Sequence, residues 1–85
     1  MKIPDNVKKA LSSAEVACKE RNCQGMSGYA LGYIRSIPVA MREASVMGRD
    51  EEEGLKTQIR YILSNLGWWR GSEARYSKMI LKEYT

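Results

Sequence analysis

The stretch from Leu55 to Leu81 places the strongest constraint on what this chain can fold into. It reads LKTQIRYILSNLGWWRGSEARYSKMIL: an amphipathic pattern, a short turn that carries both tryptophans, and a second amphipathic pattern. At about 100° per residue, the apolar side chains of the first pattern fall within an arc of about 100°, the width of a core-facing stripe. These side chains are Leu55, Ile59, Ile62, Leu63 and Leu66. The stretch therefore predicts an αα-hairpin.

The turn between the two helices contains a glycine at the position where a helix commonly ends. We expect Gly67 to adopt the left-handed conformation, which glycine adopts more readily than other residues. Trp68 and Leu63 would then occupy the two positions that touch in a Schellman motif. Ser72 is the candidate cap of the next helix, and Glu73 places negative charge at its positive end.

The rest of the chain also has helical spacing, and no strand pattern occurs in it. Helix one is predicted at about residues 5–22 and helix two at about 27–47, with Ser27 as its cap. Helix three is predicted at about residues 51–66, capped by Asp50, and helix four at about 73–83. Glu52 and Lys56 have the spacing and order of a favourable ion pair on helix three.

Pro38 leaves two interpretations of helix two. The apolar spacing continues in phase through the proline, which favours one helix with a kink there. The alternative is two shorter helices, with Ile37 extended as residues before proline prefer. The 85 residues are thus predicted to form a single-domain, all-α, compact bundle of four helices, or of five if helix two is split.

The composition argues against catalysis. The chain has no histidine, which removes the commonest general base and metal ligand. The carboxylates of residues 50–53 lack the spacing of a calcium loop, and a charged helix start explains them. No phosphate-binding loop, dinucleotide fingerprint or nucleophile elbow is present. We expect neither enzyme activity nor a cofactor or metal.

The start of the chain indicates where the protein acts. No segment has the length of a membrane span or the apolar core of a signal peptide, so we expect a cytoplasmic protein without a membrane partner.

Cys18 falls on the apolar face of helix one, and Cys23 lies nearer solvent. If both are helical, they point about 140° apart and are poorly placed to pair.

The net charge of +4 lies entirely in the C-terminal part of the chain. Residues 1–53 carry eight basic and eight acidic side chains, whereas residues 54–85 carry six basic and two acidic ones. This excess of basic side chains is suited to contact the phosphates of a nucleic acid. The candidate nucleic-acid contacts are Arg60, Arg70, Arg75, Lys78 and Lys82. On helix four, three of these cations lie opposite an apolar arc formed by Ala74, Tyr76, Ile80, Leu81 and Tyr84. A solvated helix face explains such a row equally well.

A protein-binding role is the favoured interpretation of the same region. Tryptophan and arginine are enriched in interface hot spots, and two adjacent tryptophans do not easily both point into a small core. If Trp68 has its capping role, Trp69 is the exposed ring beside Arg70, with Arg75, Lys78 and Lys82 as a basic rim. In the alternative, both rings cover the helix ends as a lid. The modest charge excess and the absence of a basic run favour a protein partner over nucleic acid.

The segment from about Gln58 to Lys82, with QIRYILSNLGWWRG at its centre, resembles small helical proteins of phages and prophages. The resemblance is limited to this segment, and its motif contains no catalytic residue. It implies a short protein that acts by binding a host or phage protein. A homodimer is a further alternative, because two copies that share apolar faces would enlarge the limited core of so small a chain.

Ile62 lies at the centre of the apolar row, and its replacement tests which face is buried. Ile62→Asp should unfold the protein, because an unpaired carboxylate in the core costs several kcal/mol, which is comparable to the whole stability of a small domain. Circular dichroism and thermal melting measure this. A stable, helical variant would mean that the wrong face has been assigned to the core.

Overall fold

The computed structural model describes residues 3–85. These residues form five α-helices and no strand, so the predicted all-α class is confirmed. The helices are α1 (Asp5–Glu20), α2 (Met26–Arg35), α3 (Ile37–Val46), α4 (Glu51–Ser64) and α5 (Ser72–Tyr84). Within the described chain, none of these helices combines the length and the apolarity that crossing a membrane would require.

α4 is the helix around which the others pack. It contacts α2, α3 and α5, and α1 completes the bundle by packing against α2 and α5. Leu55, Ile59, Ile62 and Leu66 have a relative exposure of 0%. The predicted apolar row is therefore buried as expected, while Leu63 lies at its edge and is partly buried. The spacing on α1 is also confirmed, because its predicted stripe from Val7 to Cys18 faces the same core.

The second predicted helix is divided into α2 and α3. The division falls at Ser36, whose N–H donates to the Gly32 carbonyl at 3.0 Å and whose carbonyl accepts from the Ala40 N–H at 2.9 Å. Pro38 lies in the first turn of α3, where its missing N–H is not needed. The single kinked helix is therefore wrong. The split alternative describes the chain, although Ile37 begins α3 and is not extended.

α1 and α3 both end in Schellman motifs. At the end of α1, Asn22 has a φ of +60°, and the Cys23 N–H donates to the Cys18 carbonyl at 3.0 Å. At the end of α3, Gly48 has a φ of +80°, and the Arg49 N–H donates to the Ala44 carbonyl at 2.8 Å. Cys23 therefore lies beyond the helix, and the two cysteines occupy positions whose side chains frequently touch. The angle expected from a shared helix does not apply to them.

α4 ends differently, and the expectation for Gly67 is wrong. Gly67 is not among the residues with positive φ. α4 stops at Ser64, and side chains and tight backbone turns reach its last carbonyls instead. Ser64 Oγ donates to the Arg60 carbonyl and Asn65 Nδ2 donates to the Tyr61 carbonyl, both at 2.9 Å. A left-handed residue is not needed, because other donors satisfy the helix end.

The helix starts show which caps were placed correctly. Asp50 directly precedes α4 as predicted, although its side chain makes no capping hydrogen bond. Lys56 and Glu52 form the expected pair at 3.2 Å. Ser27 and Ser72 are not caps, because each lies inside a helix that Gly25 or Gly71 precedes.

A close approach between α3 and α4 was not predicted from the sequence. A Cβ atom on Gly54 would lie 2.8 Å from the Ala40 carbonyl oxygen and 2.9 Å from the Ala44 Cβ. Only a residue without a side chain leaves room there, which explains a glycine inside the central helix despite its low helix propensity.

Gly48→Ala tests the left-handed end of α3. We expect a loss of about 1 kcal/mol of stability, because Cβ crowds the following carbonyl at positive φ, and a fall in melting temperature of about 4–8 °C. Gly67→Ala is the matched control, since Gly67 lacks positive φ and an added Cβ would meet no atom within 4 Å. Equal melting temperatures for the two variants would contradict this assignment.

A candidate binding surface on the C-terminal hairpin

α4, residues 65–71 and α5 form the C-terminal hairpin of the chain. α5 makes more extensive contacts with α1 than with α4, so the hairpin is part of the bundle and not a separate unit. The buried stripe of α5 is narrow and consists of Ala74, Ser77 and Leu81. Tyr76, which the sequence placed on the apolar arc, is 62% exposed. That expectation is wrong, because the small residues of the stripe occupy the contact and leave Tyr76 at its outer edge.

Both tryptophans pack against the core and are partly buried. Trp68 Nε1 donates to the Asn65 carbonyl at 2.6 Å, and the Arg21 guanidinium lies 5.1 Å from the centre of its ring. The expectation of an exposed Trp69 is wrong, and the alternative in which both rings cover the core describes the structure. Arg21 is a contact that the sequence did not indicate, because it comes from the distant end of α1.

Lys78 holds the bend together. Its Nζ atom donates to the Leu66 carbonyl at 3.0 Å and to the Trp69 carbonyl at 2.6 Å. Burial lowers the pKa of Lys78, and the nearby charges of Arg70 and Lys82 lower it further. Lys78 is therefore a structural residue as well as a cation, and it is not the free member of a basic rim that the sequence predicted.

A basic cleft lies beside this bend. It has a volume of about 270 Å³ and is lined by Gly67, Trp69, Arg70, Gly71, Arg75 and Lys78. The structure thus brings together three of the predicted cations, and Lys82 lies close enough to influence Lys78. Arg60 is exposed on α4 but does not line the cleft, so the predicted group of five is only partly assembled.

The outer face of α5 carries exposed apolar side chains between its cations. We define this face as Arg75, Tyr76, Met79 and Lys82, all of which are exposed. Met79 is 47% exposed and lies one turn from Arg75. Neither Tyr76 nor Met79 was predicted to lie on the surface. Tyr76 was missed because the apolar arc was drawn too wide, whereas Met79 was assigned neither to that arc nor to the row of cations.

The described chain offers no metal site, and the comparisons with known proteins identify no relative. Among residues 3–85, no three cysteine, aspartate or glutamate side chains are grouped so that they could hold a metal ion. No protein-family model matches the chain, and no curated protein or solved structure is significantly similar to it. The candidate function is therefore inferred from the surface of the hairpin.

Lys78→Met tests the structural role of the lysine. The variant should lose about 1–2 kcal/mol of stability, because the Trp69 carbonyl loses its donor in a partly buried position and the Leu66 carbonyl keeps only the Trp69 N–H. Lys82→Met on the exposed face of the same helix is the control and should change stability by less than about 0.5 kcal/mol. Chemical denaturation followed by tryptophan fluorescence measures both, and equal midpoints would remove the role assigned to Lys78.

Proposed function

We propose that this chain is an intracellular, non-enzymatic binding protein that contacts a protein partner through the outer face of α5 and the adjoining basic cleft. One observation carries the proposal. Exposed Tyr76 and Met79 share a helix face with Arg75 and Lys82, and no carboxylate in residues 3–85 pairs with these two cations.

Three of the four residues of this face belong to types that are enriched in protein interfaces. Tyrosine, methionine and arginine are enriched in interface cores, where apolar contact and a fixed polar group are needed together. Methionine is flexible and polarisable, which lets it fit an irregular partner surface. The unpaired cations favour a partner that presents acidic groups.

The role of Trp69 in this proposal differs from the role that the sequence indicated. Its ring packs against the core and forms one wall of the basic cleft. It therefore borders the cleft, while Tyr76 and Met79 supply the exposed contact area. The resemblance of the hairpin to small phage and prophage proteins supports the same class of function, and we propose a phage- or prophage-type binding protein.

Nucleic-acid binding is the second candidate. It is favoured by Arg70, Arg75 and Lys82, which have no acidic partner within the described chain. Against it, Lys78 already donates to two carbonyls and Arg60 lies outside the cleft. The remaining cations make a short row, whereas a phosphate backbone is usually tracked by a longer one.

The proposal is tested by capturing the partner from the native host and measuring its affinity for purified variants. Met79→Ala should weaken binding on the order of tenfold, as expected for an anchor residue in an interface. Val39→Ala on α3 is the matched control, since Val39 is also 47% exposed, and it should leave the affinity within about twofold. Equal affinities for the two variants would show that Met79 on α5 is not part of the interface.

Salt dependence separates the two candidates. Contacts to phosphates weaken steeply with salt, and each contact removed lowers the logarithmic slope by about one. If the purified chain shifts DNA or RNA at micromolar concentration in about 150 mM salt, and Arg75→Glu abolishes the shift, nucleic-acid binding replaces protein binding as the function.

A further inference from the structure

The basic cleft has the composition of an anion site. Its lining combines the guanidinium groups of Arg70 and Arg75 with the ammonium of Lys78, beside the Trp69 ring. None of the residues that line it is acidic. With a volume of about 270 Å³, the cleft has room for a compact anionic group.

Lys78 is a positioned cation in this cleft. Its two acceptors, the Leu66 and Trp69 carbonyls, are neutral, so they fix the side chain without cancelling its charge. A lysine ammonium has three donors, and the third remains for a ligand. Because the side chain is already ordered, binding does not have to restrict its rotamers again.

Like charges are crowded around this ammonium. Arg70 and Lys82 both lie near Lys78, and their charges add to burial in lowering its pKa. Within residues 3–85, no carboxylate is paired with Arg70, Arg75 or Lys82. An anion from outside the described chain would relieve the mutual repulsion of these cations.

We infer that the basic cleft binds a phosphate-type dianion, presented by the protein partner as a phosphorylated side chain. This inference rests on the proposed function, since it names the chemistry that the partner supplies. Arginine forks match phosphate oxygens in pairs, and the lysine adds a point charge. A phosphoryl group offers a charge of about −2 and three acceptor oxygens, whereas a carboxylate neutralises one cation and leaves the rest crowded.

Inorganic phosphate is the first probe, added to the isotope-labelled protein at constant ionic strength with chloride as the reference anion. We expect saturable shifts of amide and indole signals confined to residues 67–78. Arg75→Gln should weaken this binding on the order of tenfold, the size expected for a charge-assisted contact. Arg60→Gln removes an exposed cation outside the cleft and should leave binding within about twofold.

A peptide with one phosphoserine between glycine and serine residues is the second probe. It should bind at least about tenfold more tightly than the same peptide with unmodified serine, because the phosphoryl group supplies the recognised charge. The site would be wrong if the signal shifts in phosphate matched those in chloride, or if they spread over cations outside the cleft. The inference would also be overturned if a single-stranded oligonucleotide bound more tightly than the phosphopeptide and if Arg60→Gln weakened that binding as much as Arg75→Gln does. The cations would then contact a nucleic-acid backbone.

The two proposals fail in different ways. If neither phosphate nor phosphopeptide binds but Met79→Ala still releases the captured partner, the phosphate site is wrong and the proposed function stands. If both probes bind and Met79→Ala has no effect on the partner, the phosphate site stands and the α5 interface is wrong. Circular dichroism of the Arg75→Gln variant confirms that a lost signal does not come from unfolding.

Discussion

The burial of one row of side chains on α4 is the interaction on which the rest of the structure depends. Leu55, Ile59, Ile62 and Leu66 have no exposed surface, and the other helices are arranged to cover them. α3 can approach this row closely because Gly54 has no side chain. Gln58, one turn from the row, donates to the Tyr33 carbonyl at 2.9 Å and so satisfies the end of α2. A small core is thus built around one helix, and the Gln58 amide pairs with a backbone carbonyl at its margin.

The same row determines how the C-terminal bend is closed. Leu66 is buried beyond the end of α4, and its carbonyl accepts from the Trp69 N–H at 3.0 Å. Lys78 supplies a second donor to this carbonyl and one to the Trp69 carbonyl, which ties α5 to the end of α4. The hydrogen bond between Trp68 and the Asn65 carbonyl adds a further constraint. The tryptophans consequently act as part of the core. The side chains of the hairpin that are exposed for contact are its cations and the outer face of α5.

The parts of the fold that the sequence predicted are those set by periodicity and near neighbours. The buried row, the stripe of α1 and the pair of Glu52 with Lys56 all follow from helical spacing. The parts that were wrong depend on contacts distant in sequence or on competing donors. Gly67 was expected to end α4 because glycine commonly does so, but a neighbouring side chain and backbone N–H groups satisfy the last carbonyls instead. Lys78 was counted as a free cation because its acceptors are backbone groups, which a charge pattern does not show.

The position of the basic cleft also explains why its charge is available to a ligand. The bend joins the C-terminal end of α4 to the N-terminal end of α5, and the dipole charges of these two ends have opposite signs. The cations at the bend outnumber Glu73, the one carboxylate in the segment from residue 65 to residue 82. Fixing Lys78 through neutral carbonyls, and not through a carboxylate, closes the bend while preserving the positive charge. The contact that completes the fold is therefore also the one that leaves the cleft able to attract an anion.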